Sequence, residues 1–261
     1  MMSGAAALAP GNAWVAAGPS LRDAFLRSGG TLTLALLLHD LLPLLPDNAA
    51  VLDFGGGDGR LALALASHGA HVTLIDADPQ MRAVAEAAAA AHPEGGRLTI
   101  LAGGVEALAG LRPRYHLVCC HSVLMYLPEA EPLLAGLAAA CRPGGHVSLV
   151  SLNPAAAAMR AGLQQRWGDA LSAITGAGDG ADVTTYPHSP EAVSALFGAH
   201  GFEVWPWRGV GIFTDHYRAP IEVDSAGLET LLHLEQRAAV TEPYRSVARC
   251  FHLIARRPDP K

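Results

Sequence analysis

The chain is poor in charge. Only 16% of its 261 residues are Asp, Glu, Lys or Arg, and the formal net charge is −6. That balance sets up no global field to draw in nucleic acid or an anionic membrane. Cysteine is scarce too. The four thiols, Cys119, Cys120, Cys141 and Cys250, show no C-x-x-C pair and no disulfide-like spacing. Cys119 and Cys120 lie in an apolar run and read as buried thiols of a reducing compartment. A run of about 20 apolar residues, the length a bilayer span needs, is missing. The longest stretch, "TLTLALLLHDLLPLL" (31–45), is broken by His39, Asp40 and Pro43 and reads as a core-facing helix. The N-terminal "MMSGAAALAPGNAW" has neither the basic start nor the long apolar stretch of a secretion signal. These absences predict a soluble, cytoplasmic chain with no membrane partner, and residues 1 to about 18 read as a loose segment.

What is present is apolar and alternating. Half the chain, 51%, is apolar, enough to bury a substantial core in one large domain over 1–257 with a short tail at 258–261. "AVLDF" (50–54), "HVTLID" (71–76), "LTILAG" (98–103), "YHLVCCHSV" (115–123) and "HVSLVSL" (146–152) have strand length and strand composition. Helical stretches separate them. One spans 59–69. Another, 78–92, opens on Asp78 as N-cap with Pro79 in its first turn. A third, "EAEPLLAGLAAACRPGG", stops at Pro143 and Gly144. Strand–helix–strand alternation predicts a parallel α/β sheet. The C-terminal part differs. "FEVWPW" (202–207) and "ARCFHLIARR" (248–257) read as strands about 40 residues apart, with a helix over 226–239 between them.

The first strand runs straight into "GGGDG". In such a sheet this turn sits at the carboxyl edge, where ligands bind. A dinucleotide fingerprint is met only in relaxed form, by Gly57, Gly59 and Ala62, because Arg60 occupies the position the stricter pattern reserves for Gly. The pattern D-x-G-x-G-x-G is met in full by Asp53, Gly55, Gly57 and Gly59. An acid before the glycines suits a cationic cofactor better than a pyrophosphate. S-adenosylmethionine (SAM) carries a sulfonium and an ammonium. Asp76 ends the second strand, where a carboxylate accepts both ribose hydroxyls. The plainer reading is a tight turn with a solvated Asp.

These residues carry a resemblance. The chain resembles class I SAM-dependent methyltransferases. Over most of 20–257 it is similar to the bacterial tRNA 5-carboxymethoxyuridine methyltransferase family, through "LRDAFL", "VLDFGGGDG", "HSVLMYLP", "CRPGGHVSLVSLN", "GVGIFTDHY" and "LLHLEQR…EPYRSVARCFHLIARR". The resemblance implies a Rossmann-like, seven-stranded mixed sheet whose last strand is antiparallel, with helical insertions at 153–190 and 209–247 capping the site. It implies SAM as cofactor, S-adenosylhomocysteine (SAH) as product and no metal. It places Arg22 on the methionine carboxylate and Asp53, Gly55, Gly56 and Gly57 around the methionine end. Asp76 falls on the ribose, and Gly104, Val105 and Glu106 on the adenine turn. His121 falls beside the cofactor; its other reading is a buried, backbone-bonded histidine.

The departures bear on the acceptor. The RNA-modifying family carries a lysine run after strand five, whereas "QQRWGDALSAITGAGDGADVTTYPHSP" has one basic residue, Arg166. Where the family has an arginine before "VF" for the substrate carboxylate, this chain has Gly211. Arg208 and Arg218 are the nearby replacements, or else solvated side chains. An alcohol, phenol or amine acceptor needs a base, and the candidates are His121 and His216, with Tyr217 as hydrogen-bond partner and Asp215 to orient a histidine. The competing reading makes "TDHY" a polar turn entering a lid. Tyr126 and Trp167 are aromatic walls or plain packing; His233 and His252 read as structural. The sequence therefore predicts a SAM-dependent methyltransferase acting on a small molecule of secondary metabolism, with nucleic acid disfavoured. Two alternatives stand beside it. One is carboxyl methylation of the tRNA wobble uridine. The other is a methyltransferase fold used for a non-methylating reaction, or as partner of another enzyme of the same pathway.

Overall fold

Side chains alternate between the two faces of a strand, so a run apolar at every position belongs in a sheet covered on both sides. "AVLDF" is apolar on both faces except at Asp53. In the computed structural model, which describes residues 30–175, 184–215 and 225–260, it forms β1 (Ala50–Phe54), an interior strand. β2 (His71–Asp76), β3 (Leu98–Ala102), β4 (Tyr115–His121) and β5 (Cys141–Leu152) join it in parallel. β6 (Glu203–Val204), β7 (Arg208–Val210) and β8 (Cys250–Arg256) complete an eight-stranded sheet. Its order is β3-β2-β1-β4-β5-β8-β6, with β7 also on β8. β8 is antiparallel to β5 and to both short strands.

The described helices are α1 (Gly30–Leu41), α2 (Arg60–Ser67), α3 (Pro79–Ala91), α4 (Glu131–Ala140), α5 (Ala157–Leu163), α6 (Trp167–Ile174), α7 (Pro190–Ala199) and α8 (Ser225–Ala238). Leu52, Phe54, Val118, Leu149 and Phe251 point to one face, where Leu133, Leu137, Val193 and Phe197 of α4 and α7 meet them. Val51, Leu117, Cys119, Val150 and Ile254 point to the other, against α1, α2 and α3. Cys119, Cys120 and Cys141 are buried, Cys250 is partly so, and all four are free thiols. Among the described residues no helix is long and apolar enough to cross a membrane.

Two expectations are corrected. The sheet has eight strands rather than seven, because the strand expected over 202–207 is split into β6 and β7. Pro206 has no N–H to give the ladder; between the pieces Trp205 N donates to Ile254 O at 2.9 Å. The helix expected to run to Pro143 ends at Ala140. Cys141 already pairs with Tyr115, and the Pro143–Gly144 turn is absorbed as an irregularity between two registers of β5. Elsewhere local chemistry predicts well: Asp78 caps α3 by accepting from Gln80 N.

Both long excursions leave the sheet at its carboxyl edge, one after β5 and one after β7. Asn153 anchors the first. Its Oδ1 accepts from Ala155 N, and its Nδ2 donates to Ser246 O and Ala248 O, both at 3.1 Å. Glu235 of α8 anchors the second. The carboxylate is 1% exposed and accepts from Ile212 N (3.0 Å), Phe213 N (2.9 Å) and Thr214 Oγ1 (3.2 Å). Removing it strands two backbone donors next to an apolar cluster. Glu235→Ala is expected to cost about 3 kcal/mol, read by urea unfolding, with Glu235→Gln losing less because its carbonyl oxygen still accepts. Equal stability of Glu235→Ala and wild type would remove Glu235 as the anchor.

Candidate active site

The glycine turn is built by hydrogen bonds from its two neighbouring strands. Gly55 N donates to Ile75 O at 2.7 Å. Gly55, Gly57 and Gly59 then take φ of 70°, 55° and 78°, a region that side chains with a Cβ rarely enter. A Cβ at Gly56 would come within 2.7 Å of Asp53 Oδ2. Asp76 locks the turn: Oδ2 accepts from Gly57 N and Oδ1 from Asp78 N, both at 2.8 Å. Burial raises the Asp76 pKa, and these two hydrogen bonds offset only part of that. Each oxygen keeps a further lone pair for a ligand hydroxyl.

Asp53 sits behind this turn. It is 2% exposed, and its Oδ2 has no hydrogen-bond partner among the described residues. Burial, then the charges of Asp76 and Asp58, push its pKa up to about 7. Asp58 itself is buried against Arg60, whose Nε lies 2.5 Å from Oδ2. An unpartnered carboxylate beside two further acids is suited to an organic cation, as SAM is. At the third strand end, Gly104 N donates to Glu106 Oε1 at 2.7 Å, so the Glu106 carboxylate folds back onto its own turn. Val105 packs on the core and offers an apolar contact.

Residues 51–145, which contain all of these groups, match a family model described as a methyltransferase domain. A tRNA 5-carboxymethoxyuridine methyltransferase of Escherichia coli K12 is 28% identical over 256 residues, 92% of this chain and 94% of that protein. The chain is a SAM-dependent methyltransferase. A ubiquinone biosynthesis O-methyltransferase of Vibrio cholerae is 36% identical over 104 residues, 40% of this chain and 42% of that one. Among solved structures, the magnesium protoporphyrin IX methyltransferase of Synechocystis PCC 6803, with bound SAH, superposes with a TM-score of 0.59 at 20% identity. It covers 94% of this chain and 93% of that one. The [4+2]-cyclase SpnF also superposes, with a TM-score of 0.57 at 17% identity, covering 87% and 82%. These likenesses are of fold alone. The cofactor of the methyltransferase is SAM, whose transferable methyl group is activated on a sulfonium.

Around the cofactor turn, the structure sorts the other sequence candidates. His121 ends β4, partly exposed, with Nε2 2.8 Å from Ser148 Oγ. Burial and neighbouring His252 press its pKa down to about 3. Tyr126 follows in a short turn, its phenol pushed up to about 12 by burial. Trp167 opens α6 with 67% of its surface exposed. Arg208 turns its Nε toward Asp40 of α1, 3.2 Å away. At Gly211 φ is 69°, and an added Cβ would fall 2.5 Å from the Asp215 carboxyl carbon. An arginine there would be strained and would have to displace the Asp215 side chain, which folds over the turn. Arg22, His216, Tyr217 and Arg218 lie outside the described residues.

Sequence reasoning missed Arg160 of α5 and Arg249 before β8. Burial lowers the Arg160 pKa, with the charge of Arg249 lowering it further and Asp215 opposing. The same two arginines act on the Cys250 thiol, which burial pushes up to about 12. Arg249 lies in "VARC", at the head of the stretch that reads as a strand, and nothing in "AAMRAGL" marks Arg160. His252, expected to be structural, bridges Ser148 and Asp40 in the buried sheet.

The buried acid sets a pH dependence. Asp53 rises from 3.8 unfolded to about 7 folded. The ligand-free fold is therefore stabilised fully below pH about 4 and loses that contribution as pH rises to about 7. Asp53→Asn should flatten this fall in thermal melts. A cationic cofactor reverses the shift, so SAM binding near neutral pH should release a proton and tighten as pH rises. Calorimetry in two buffers of different ionisation enthalpy reads the proton; no release would put the positive charge away from Asp53.

Proposed function

We propose that the methyltransferase acts, in the cytoplasm, on a small-molecule acceptor of secondary metabolism whose nucleophile is a hydroxyl, phenol or amine. The observation that carries this reading is the surface of the insertion after β5. Trp167, Leu171 and Ile174 line one side of α6 and are 67%, 64% and 75% exposed. Phosphate contacts dominate nucleic-acid affinity, and this face is apolar. The one lysine of the chain is Lys261. In this reading Asp53 balances the positive charge of the cofactor and Asp76 receives the ribose. Arg22 holds the carboxylate, and Gly104, Val105 and Glu106 form the adenine turn. His121 accepts the acceptor's proton; burial keeps its imidazole neutral, the form that can accept, but also weakens it as a base, so the role requires the bound acceptor and cofactor to raise its pKa toward the working pH. His216 is the other candidate base in this reading, with Tyr217 as its hydrogen-bond partner.

A second reading is favoured by Arg249, whose charge acts both on Arg160 and on Tyr126. Two arginines would bind an acceptor carboxylate, which needs no base, as the name of the Escherichia coli relative suggests for its own substrate. Labelled SAM offered with phenols, alcohols, amines, carboxylic acids and bulk tRNA separates the two. The expectation is transfer to a protic small molecule and weak binding of bulk tRNA at physiological salt. Tight, salt-sensitive tRNA binding in a gel shift overturns the small-molecule reading. On the acceptor so found, His121→Ala should lower turnover by at least about a hundredfold; normal turnover removes His121 as the base.

A further inference from the structure

A line of polar side chains crosses one face of the sheet. His121 of β4 and His252 of β8 stand in register with the same residue of β5, Val150. Ser148 is two residues earlier on β5 and so shares their face. Its Oγ lies 2.8 Å from His121 Nε2 and 2.8 Å from His252 Nε2. His252 Nδ1 lies 3.3 Å from Asp40 Oδ2, and Arg208 Nε lies 3.2 Å from the same oxygen. His39 Nδ1 reaches the other oxygen, Oδ1, at 3.1 Å. Ser148 and His252 are buried.

The chemistry of each group fixes the direction of the line. Arg208 donates only, and an ionised Asp40 accepts only. Burial opposes the Asp40 charge, but the His252 contact and the charge of Arg208 outweigh it, and its pKa lies below the ordinary value. His252 therefore presents Nδ1–H to Asp40. Arg208 already neutralises that carboxylate, so a second proton on His252 would leave a net positive charge in the core. A neutral His252 has an acceptor at Nε2. The Ser148 hydroxyl must donate to it, and the Ser148 oxygen is then free to accept the Nε2–H of His121. His121 is left with an Nδ1 lone pair, for which the described residues supply no partner.

We propose that Asp40, His252 and Ser148 are positioning residues that hold His121 in its Nε2–H tautomer, leaving Nδ1 as the proton acceptor. The use of that lone pair by an acceptor molecule rests on the proposed function; the tautomer does not. Nitrogen-15 correlation spectra of histidine-labelled protein at neutral pH read it without any substrate. The expected result is His121 protonated on Nε2 and His252 protonated on Nδ1 alone. Ser148→Ala, a small change at a buried site, should abolish the tautomer preference of His121 while leaving His252 on Asp40. A doubly protonated His252 with His121 protonated on Nδ1 would mean the line runs the other way, and overturns the proposal. So does an unchanged His121 signature in Ser148→Ala. Should that variant fail to fold, the wild-type spectrum still decides. Normal turnover of His121→Ala would sink the base assignment and leave the tautomer result standing.

Discussion

The carboxylate of Asp76 ties together the two turns from which the cofactor side of the molecule is made. One oxygen holds Gly57 N in the glycine turn and the other holds Asp78 N at the start of α3. With those bonds in place, Gly59 can open α2 and Asp78 can cap α3. Asp53 is then sealed behind the turn with Gly56 against its carboxylate. A side chain that would serve a ligand thus also builds the loop that meets the ligand. Three acids, Asp53, Asp58 and Asp76, end up close enough to raise the pKa of the most buried of them. The apparent cost of that crowding is the physical ground for a cationic cofactor.

The second feature is that polar groups run through the core as well as along its edge. Most of the sheet is packed by Leu, Val, Ile and Phe, as a parallel sheet covered on both faces must be. Ser148 and His252 interrupt it, and each is bonded. Buried polar groups left unpaired would be costly; linked from α1 to β4, they carry a defined orientation across the fold. Glu235 does the same for the segment after β7, gathering the three donors of 212–214 onto α8.

The local signals were legible because they depend on neighbours in sequence. The D-x-G-x-G-x-G run, the Asp78–Pro79 helix start and the five apolar strands each follow from the geometry of a few adjacent residues, and the match over 51–145 falls on them. Pro206 was in plain view, yet "FEVWPW" read as one strand because composition outweighed the missing N–H. His39 and Asp40 were seen only as a break in an apolar run. An ionised group in a core-facing helix needs a partner, and that need was the available clue to His252 and Arg208. Nothing in "GVGIF" announced that the backbone at Gly211 turns left-handed under Asp215.

The sequence by itself determined the fold class, the glycine turn after β1 and the placing of an acid near the ends of β1 and β2, since periodicity and turn chemistry are short-range. Only the tertiary structure decided which polar residues meet. Asp40, Ser148, Arg208 and His252 are separated by up to 212 positions along the chain. Their contact depends on strand order, on the register that sets His121 and His252 beside Val150, and on α1 folding over that face. Register and packing are properties of the assembled sheet, because they are fixed by the burial of whole faces rather than by any residue's neighbours.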